Sequence, residues 1–236
     1  METKLNKKTV LMNEIKQKIK AFIFDMDGTI INTEPAWQNV TKHVLKMYQG
    51  IEKLTEDQQQ FLYSLSGLGL ENAASEVKRY FDLKQSIDEI IAQKTQAVDL
   101  YFNDVNFIEG FEQFHKRLQE NNFFTSVATN ADPATLRKLS QQMNFKQFFG
   151  NNLYCSADVG NKAKPDPAVF LHAARQLGVA PHECVVFEDS IAGFKAAQAA
   201  GIKCIAIKNE NNQQFIDLAQ QSIANYHEAE EALKKI

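Results

Sequence analysis

The chain has little of what marks several large classes of protein. Its three cysteines, Cys155, Cys184 and Cys204, are far apart, odd in number and outside any Cys-x-x-Cys spacing. That argues against a zinc ribbon or a disulfide framework and for a reducing compartment. Positive charge is not in excess: 26 Lys and Arg face 29 Asp and Glu, a formal net charge of -3. Nothing in that balance favours nucleic acid or a membrane surface as partner. No apolar run is long enough to span a bilayer. The five histidines are scattered and match no metal spacing. Residues 1–20 are rich in lysine but contain Glu2 and Glu14, no arginine and no continuous apolar stretch, so they fit neither a secretory signal nor a transit peptide. The expectation is a cytoplasmic monomer with a loose, polar N-terminal extension over residues 1–19.

What is present is pattern. Ala21-Phe22-Ile23-Phe24 is an apolar run too short for a helix, and it leads straight into Asp25-Met26-Asp27-Gly28-Thr29. Residues 35–104 then read as consecutive amphipathic helices with no strand. Trp37, Val40, Val44 and Tyr48 recur at helical spacing, and Thr55 with Gln58 and Ser86 with Glu89 form capping-box pairs. After Phe107, strands at 123–128, 152–155, 184–187 and 202–207 alternate with helices opened at Asp132-Pro133, Asp166-Pro167 and Ser190. Such alternation gives parallel strands joined by right-handed crossovers. The expected fold is α/β: a Rossmann-like parallel-sheet core from residues 20–34 and 105–236, with a helical-bundle cap domain inserted at 35–104.

Ligands of an open parallel sheet bind beyond the carboxyl ends of its strands. Four polar groups fall at such ends: Asp25/Asp27, Thr129/Asn130, Lys164 and Glu188/Asp189. Asp25 and Asp27 leave their strand on the same side. Two carboxylates so crowded need a cation between them, a proton on one, or both. Taken singly, Thr-Asn is a turn, Lys-Pro a surface loop and Glu-Asp-Ser a helix N-cap. Their joint placement, each after a strand, asks for a common task. Trp37, by its spacing, belongs to the core of the helical bundle.

Together these segments resemble the haloacid dehalogenase superfamily of phosphotransferases. Asp25-Met26-Asp27-Gly28-Thr29 matches its first motif, Thr129-Asn130 the second, Lys164-Pro165 the third, and Glu188-Asp189-Ser190 with Gly193 the fourth. A helical cap after the first strand is similar to the branch containing β-phosphoglucomutase and small sugar-phosphate phosphatases. The resemblance implies a Mg²⁺-dependent phosphatase acting on a small phosphorylated metabolite through an aspartyl-phosphate. Asp25 would be the nucleophile, and Asp27 the acid for the leaving alkoxide and then the base for water. Thr129, Asn130 and Lys164 would hold the phosphoryl oxygens. Asp25, Glu188 and Asp189 would hold the metal, with Asp27 adding its backbone carbonyl. Thr33 and Glu34 fall near the hinge, where Glu34 either meets ligand or favours a helix start.

Two departures bear on the alternative of a sugar phosphomutase. The mutase has a hinge histidine where this chain carries Trp37, and a cap arginine for a second phosphate where Leu70 falls. The expectation is therefore hydrolysis, with mutase activity and a non-catalytic binding protein as alternatives. A dehalogenase would need neither Asp27 nor Glu188-Asp189.

Overall fold

Strand β1 (Ala21–Phe24) is wholly buried and serves both faces of a sheet at once. Phe22 and Phe24 enter one apolar cluster, Ala21 and Ile23 the other, as the two-residue period of a strand requires. In the computed structural model, which describes residues 11–236, β1 lies between β2 (Phe124–Thr129) and β4 (Cys184–Glu188). With β3 (Leu153–Cys155), β5 (Lys203–Ile207) and β6 (Gln221–Ile223) the sheet runs β3-β2-β1-β4-β5-β6, every pair parallel. The register aligns Phe24 with Val127 on one side and Phe187 on the other. The residues that follow each strand are thereby delivered to one edge.

The two faces are packed differently. One is aromatic: Phe22, Phe24 and Phe187 meet Phe111 and Phe114 of α6 (Phe111–Glu120) and the late residue Tyr226, with Phe24 and Phe187 stacked at 5.1 Å. His115 lies buried in this face, its Nε2 3.1 Å from the Thr125 hydroxyl. The other face is covered by α9 (Ala168–Gln176) and α10 (Ile191–Ala199), whose Ala173, Ala174, Ala196 and Ala197 let helix and sheet approach closely.

Residues 11–18 form helix α1, and Leu11, Met12, Ile15 and Ile19 are buried in the aromatic-face cluster. This corrects the loose extension expected there. The segment is rich in lysine, but the apolar side chains at 11, 12, 15 and 19 fall on one helical face. Residues 1–10 of that extension lie outside the described residues. The short strand β6 was also not anticipated; three residues give too little pattern to read.

Between β1 and α6 come four helices: α2 (Glu34–Gln49), α3 (Glu56–Ser64), α4 (Leu70–Tyr80) and α5 (Ile87–Tyr101). Thr55 and Ser86 close full capping boxes with Gln58 and Glu89, each satisfying amides that a helix start leaves open. The four helices share an apolar cluster of their own, including Val44, Leu62, Val77 and Ile90. No helix among the described residues is long and apolar enough to cross a membrane.

Candidate active site

Asp25 follows β1 directly, its amide donating to the Phe187 carbonyl at 3.0 Å, so its carboxylate is set by sheet geometry. The Lys164 ammonium donates to Asp25 Oδ1 at 2.5 Å and to Glu188 Oε1 at 2.8 Å. The other oxygen of Glu188 accepts from the Ser190 amide at 2.6 Å. Ser190 in turn caps its helix by accepting from the Gly193 amide at 3.0 Å. Gly193 is obligatory: a Cβ there would stand 1.9 Å from Glu188 Oε1. Asp189 accepts from the Thr29 hydroxyl and from the Asn209 side chain, both at 3.1 Å. It lies against Gly28, whose φ of +77° and lack of a side chain let the loop turn with the carboxylate behind it.

Two carboxylates thus share one ammonium, with a third, Asp189, close by, all of them buried. Burial pushes the Asp25 carboxyl up to about 8, against the pull of Lys164. Burial, with Glu188 and Asp25 close by, drives Asp189 well above the carboxylate range. Burial also opposes the charge on Lys164, but Asp25 and Glu188 outweigh it and hold the ammonium above its ordinary range. The cluster carries more negative charge than it can neutralise, so it favours a second cation.

The donor set says which kind. Among the described residues no three His, Cys, Asp or Glu side chains form a ready-made metal cluster. Glu188 has both oxygens engaged, by Lys164 and Ser190, and the Asp27 carboxylate is turned toward Thr33 and Trp37. Of the four residues expected at the metal, Asp25, Asp27, Glu188 and Asp189, Asp25 keeps one carboxylate oxygen without a donor among the described residues, while Glu188 and Asp189 each accept one hydrogen bond per oxygen and retain a lone pair on each. Mg²⁺ is bound through one or two carboxylates and keeps several waters, so these residues fit it.

Asp27 shows what the sequence did not. Its Oδ1 accepts from the Thr33 hydroxyl at 2.6 Å and from the Trp37 indole N–H at 3.0 Å. Burial raises the Asp27 carboxyl; the two hydrogen bonds pull it back. Because both donors take one oxygen, a proton on Asp27 resides on the other, Oδ2. Trp37 was expected only as bundle core. It does pack edge-on against Phe102 at 5.0 Å, but its N–H is bound to Asp27. A signal was available, since an indole N–H brought into a packed core needs an acceptor.

Thr129, at the end of β2, borders the cavity above Asp25 and accepts from the Ala131 amide at 3.1 Å. Asn130 also borders the cavity, yet its side chain is a bracket rather than a free donor. It accepts from the Lys164 amide at 2.8 Å and donates to the carbonyls of Gly67 (3.2 Å) and Lys164 (3.4 Å). This departs from the phosphate contact expected of it. Lys164 lies behind Asp25 and Glu188, and neither it nor Asp189 borders the cavity. The opposite wall comes from α2 to α5: Glu34, Trp37, Gln38, Leu62, Leu70 and Lys94. Glu34 accepts from Gln38 at 3.2 Å, and burial raises its carboxyl.

The chain has relatives across its length. It is 25% identical over 220 residues to the bifunctional riboflavin kinase/FMN phosphatase of Arabidopsis thaliana, covering 91% of this chain but 55% of that longer protein. It is 28% identical over 196 residues to the fructose-1-phosphate phosphatase YqaB of Escherichia coli K12, covering 81% of this chain and 98% of the relative. Among solved structures, a family IA, variant 3 hydrolase from Entamoeba histolytica superposes with a TM-score of 0.79 at 24% identity, over 92% of this chain and 99% of that one. The family model for haloacid dehalogenase-like hydrolases matches residues 22–207, from the first strand through the fifth. With its parallel sheet and its carboxylates at the strand ends, the chain belongs to the haloacid dehalogenase-like hydrolases.

Proposed function

We propose that the protein is a Mg²⁺-dependent phosphatase of small phosphomonoesters, sugar or polyol phosphates, with residues 35–104 acting as the cap that receives the leaving group. The observation that carries this reading is the division between two neighbouring carboxyl groups. Asp25 is paired with the Lys164 ammonium, while Asp27 is held by neutral donors on one oxygen in a buried place. One is suited to attack as an anion and the other to deliver a proton.

The Asp25 oxygen attacks phosphorus as the bond to the leaving oxygen breaks, and the proton on Asp27 Oδ2 passes to that oxygen. Asp27, now ionised, takes a proton from water; the water oxygen attacks phosphorus, and the bond to Asp25 breaks. Asp25 is restored as a carboxylate and Asp27 as an acid. Burial raises the Asp25 carboxyl to about 8 despite Lys164, so Lys164 and the bound cation together would hold it ionised before attack, and the Thr129 hydroxyl faces the oxygens that do not transfer. Mg²⁺, held by Asp25 and Asp189 with the Asp27 backbone carbonyl, would neutralise phosphoryl charge. The names of the relatives, a fructose-1-phosphate phosphatase among them, support the same chemistry. Leu70 on the cavity wall supports hydrolysis over mutase transfer, since it offers no charge to a second phosphate.

The test is phosphate release from a panel of sugar and polyol phosphates with and without Mg²⁺. Release should require the metal, and Asp25→Asn should lower it by at least about 10³-fold. Metal-independent release, or an Asp25→Asn variant that keeps activity, would overturn the reading.

A further inference from the structure

Lys94 has no task in that reaction. It sits on the buried stripe of α5 with Ile90, Ala97 and Val98, a position the amphipathic pattern reserves for apolar side chains. It is 3% exposed and borders the cavity. Among the described residues its ammonium makes one hydrogen bond, to the Thr41 hydroxyl at 3.1 Å, and that hydroxyl is itself spent on the Trp37 carbonyl at 3.0 Å. Among the described residues no carboxylate reaches it: burial accounts for its ammonium being pushed down to about 8, which leaves it charged at neutral pH. A buried charge without a counter-ion is costly unless something supplies one.

Its position says what that something is. The Trp37 indole donates to Asp27 at its N–H, and the Lys94 ammonium lies 5.9 Å from the centre of the same ring. The ammonium is thus one indole away from the acid, where the far end of a small leaving group would lie. Among the described residues it is the sole cationic side chain bordering the cavity. One positive charge matches a monoanion; a second phosphate, as a dianion, would want more. We infer that Lys94 is a specificity-determining residue that pairs with a carboxylate on the leaving group, so that the preferred substrates are phosphate monoesters of small hydroxy acids. The inference rests on the phosphatase reading and moves the preferred leaving group from a neutral sugar or polyol to its carboxylate-bearing counterpart.

The test uses pairs matched in carbon count: a phosphorylated aldonic acid against the phosphorylated alditol, and a sugar bisphosphate against its monophosphate. The wild-type enzyme should prefer the aldonic acid ester by about 30-fold in kcat/KM, mostly through KM, as a charge-assisted hydrogen bond in a dry site warrants. Lys94→Met should erase that preference while changing the alditol ester by no more than about 3-fold, and Lys94→Arg should retain part of it. Binding of the same pairs to Asp25→Asn, read from the fluorescence of Trp37, the sole tryptophan, separates the two proposals. A carboxylate preference in binding without hydrolysis in the wild type would remove the phosphatase and leave the anchor. Equal handling of acid and alditol, a preference for the bisphosphate, or a Lys94→Met loss independent of leaving-group charge would overturn the anchor.

Discussion

At the carboxyl end of the sheet, Gly28 and Gly193 leave no room for a methyl group between backbone and carboxylate. Across the cavity, α2 to α5 meet through valine, leucine and alanine side chains on amphipathic faces. The first arrangement is fixed by backbone approach and tolerates no change of residue. The second is fixed by side-chain volume, which neighbouring residues can exchange among themselves. A site with one wall of each kind can keep its reaction constant while its choice of leaving group drifts. The reacting corner and the selecting wall are therefore different sorts of object, although they share a cavity.

The sharpest way to break that contrast is Gly193→Ala. The residue is helical and its backbone accepts alanine, so any damage comes from the methyl group meeting Glu188. Displacing Glu188 loosens Lys164 and Ser190 together, and kcat/KM should fall by about 10²-fold or more, with about 1–3 kcal/mol lost in stability from overpacking. Steady-state kinetics and denaturant unfolding check both; a fully active Gly193→Ala would remove the idea of a rigid corner.

Trp37→Phe probes the seam between the two regions. It removes one donor from Asp27 while keeping the packing on Phe102. For sugar phosphates kcat should drop by about 10–100-fold with little change in KM, because a misplaced acid fails in the transition state. An aryl phosphate whose leaving group departs without a proton should be far less affected. Equal losses on both substrates would reduce Trp37 to a packing residue.

The gentlest contrast is in acid. His115 is buried in the aromatic face of the core, and desolvation lowers its imidazole from 6.5 to about 4. Its folded value lies below its unfolded one, so the stability tied to the neutral ring is complete above pH 6.5 and is lost as pH falls through 4. The loss should reach on the order of 2–3 kcal/mol, measured as the urea midpoint against pH, and His115→Phe should flatten that slope. Burial lowers the Lys94 ammonium of the helical wall to about 8, so it stays charged, folded or unfolded, throughout this range and should not contribute to the slope.

The local features were legible in the sequence because their causes are local. Four apolar residues before Asp25, the capping boxes at Thr55 and Ser86, and Asp132 and Ser190 at helix starts are settled by neighbours a few positions away. The meeting of Asp25, Lys164 and Glu188 was legible too, since the edge of a parallel sheet collects whatever follows its strands. What escaped depends on approach between distant segments. Asn130 looks like a phosphate donor until Gly67 and the Lys164 loop use both ends of its amide. Trp37 looks like core until its N–H finds Asp27. In each case residue type was right and the partner was not, because one hydrogen-bonding group has several plausible uses and only the packed chain selects among them.

Tyr226 illustrates how far such selection reaches. Its hydroxyl donates to the Thr29 carbonyl at 3.1 Å across 197 residues of sequence, bracing from beneath the loop that carries Asp25 and Asp27. The loop of Asp25 and Asp27 is synthesised ahead of strands β2 to β6, whereas Tyr226 follows them all. The brace therefore arrives only once every strand of the sheet has been made, and until then that loop lacks one of its supports. A chain cut short before Tyr226 would keep Asp25, Asp27, Thr129, Lys164, Glu188 and Asp189 without the strut beneath the first of them.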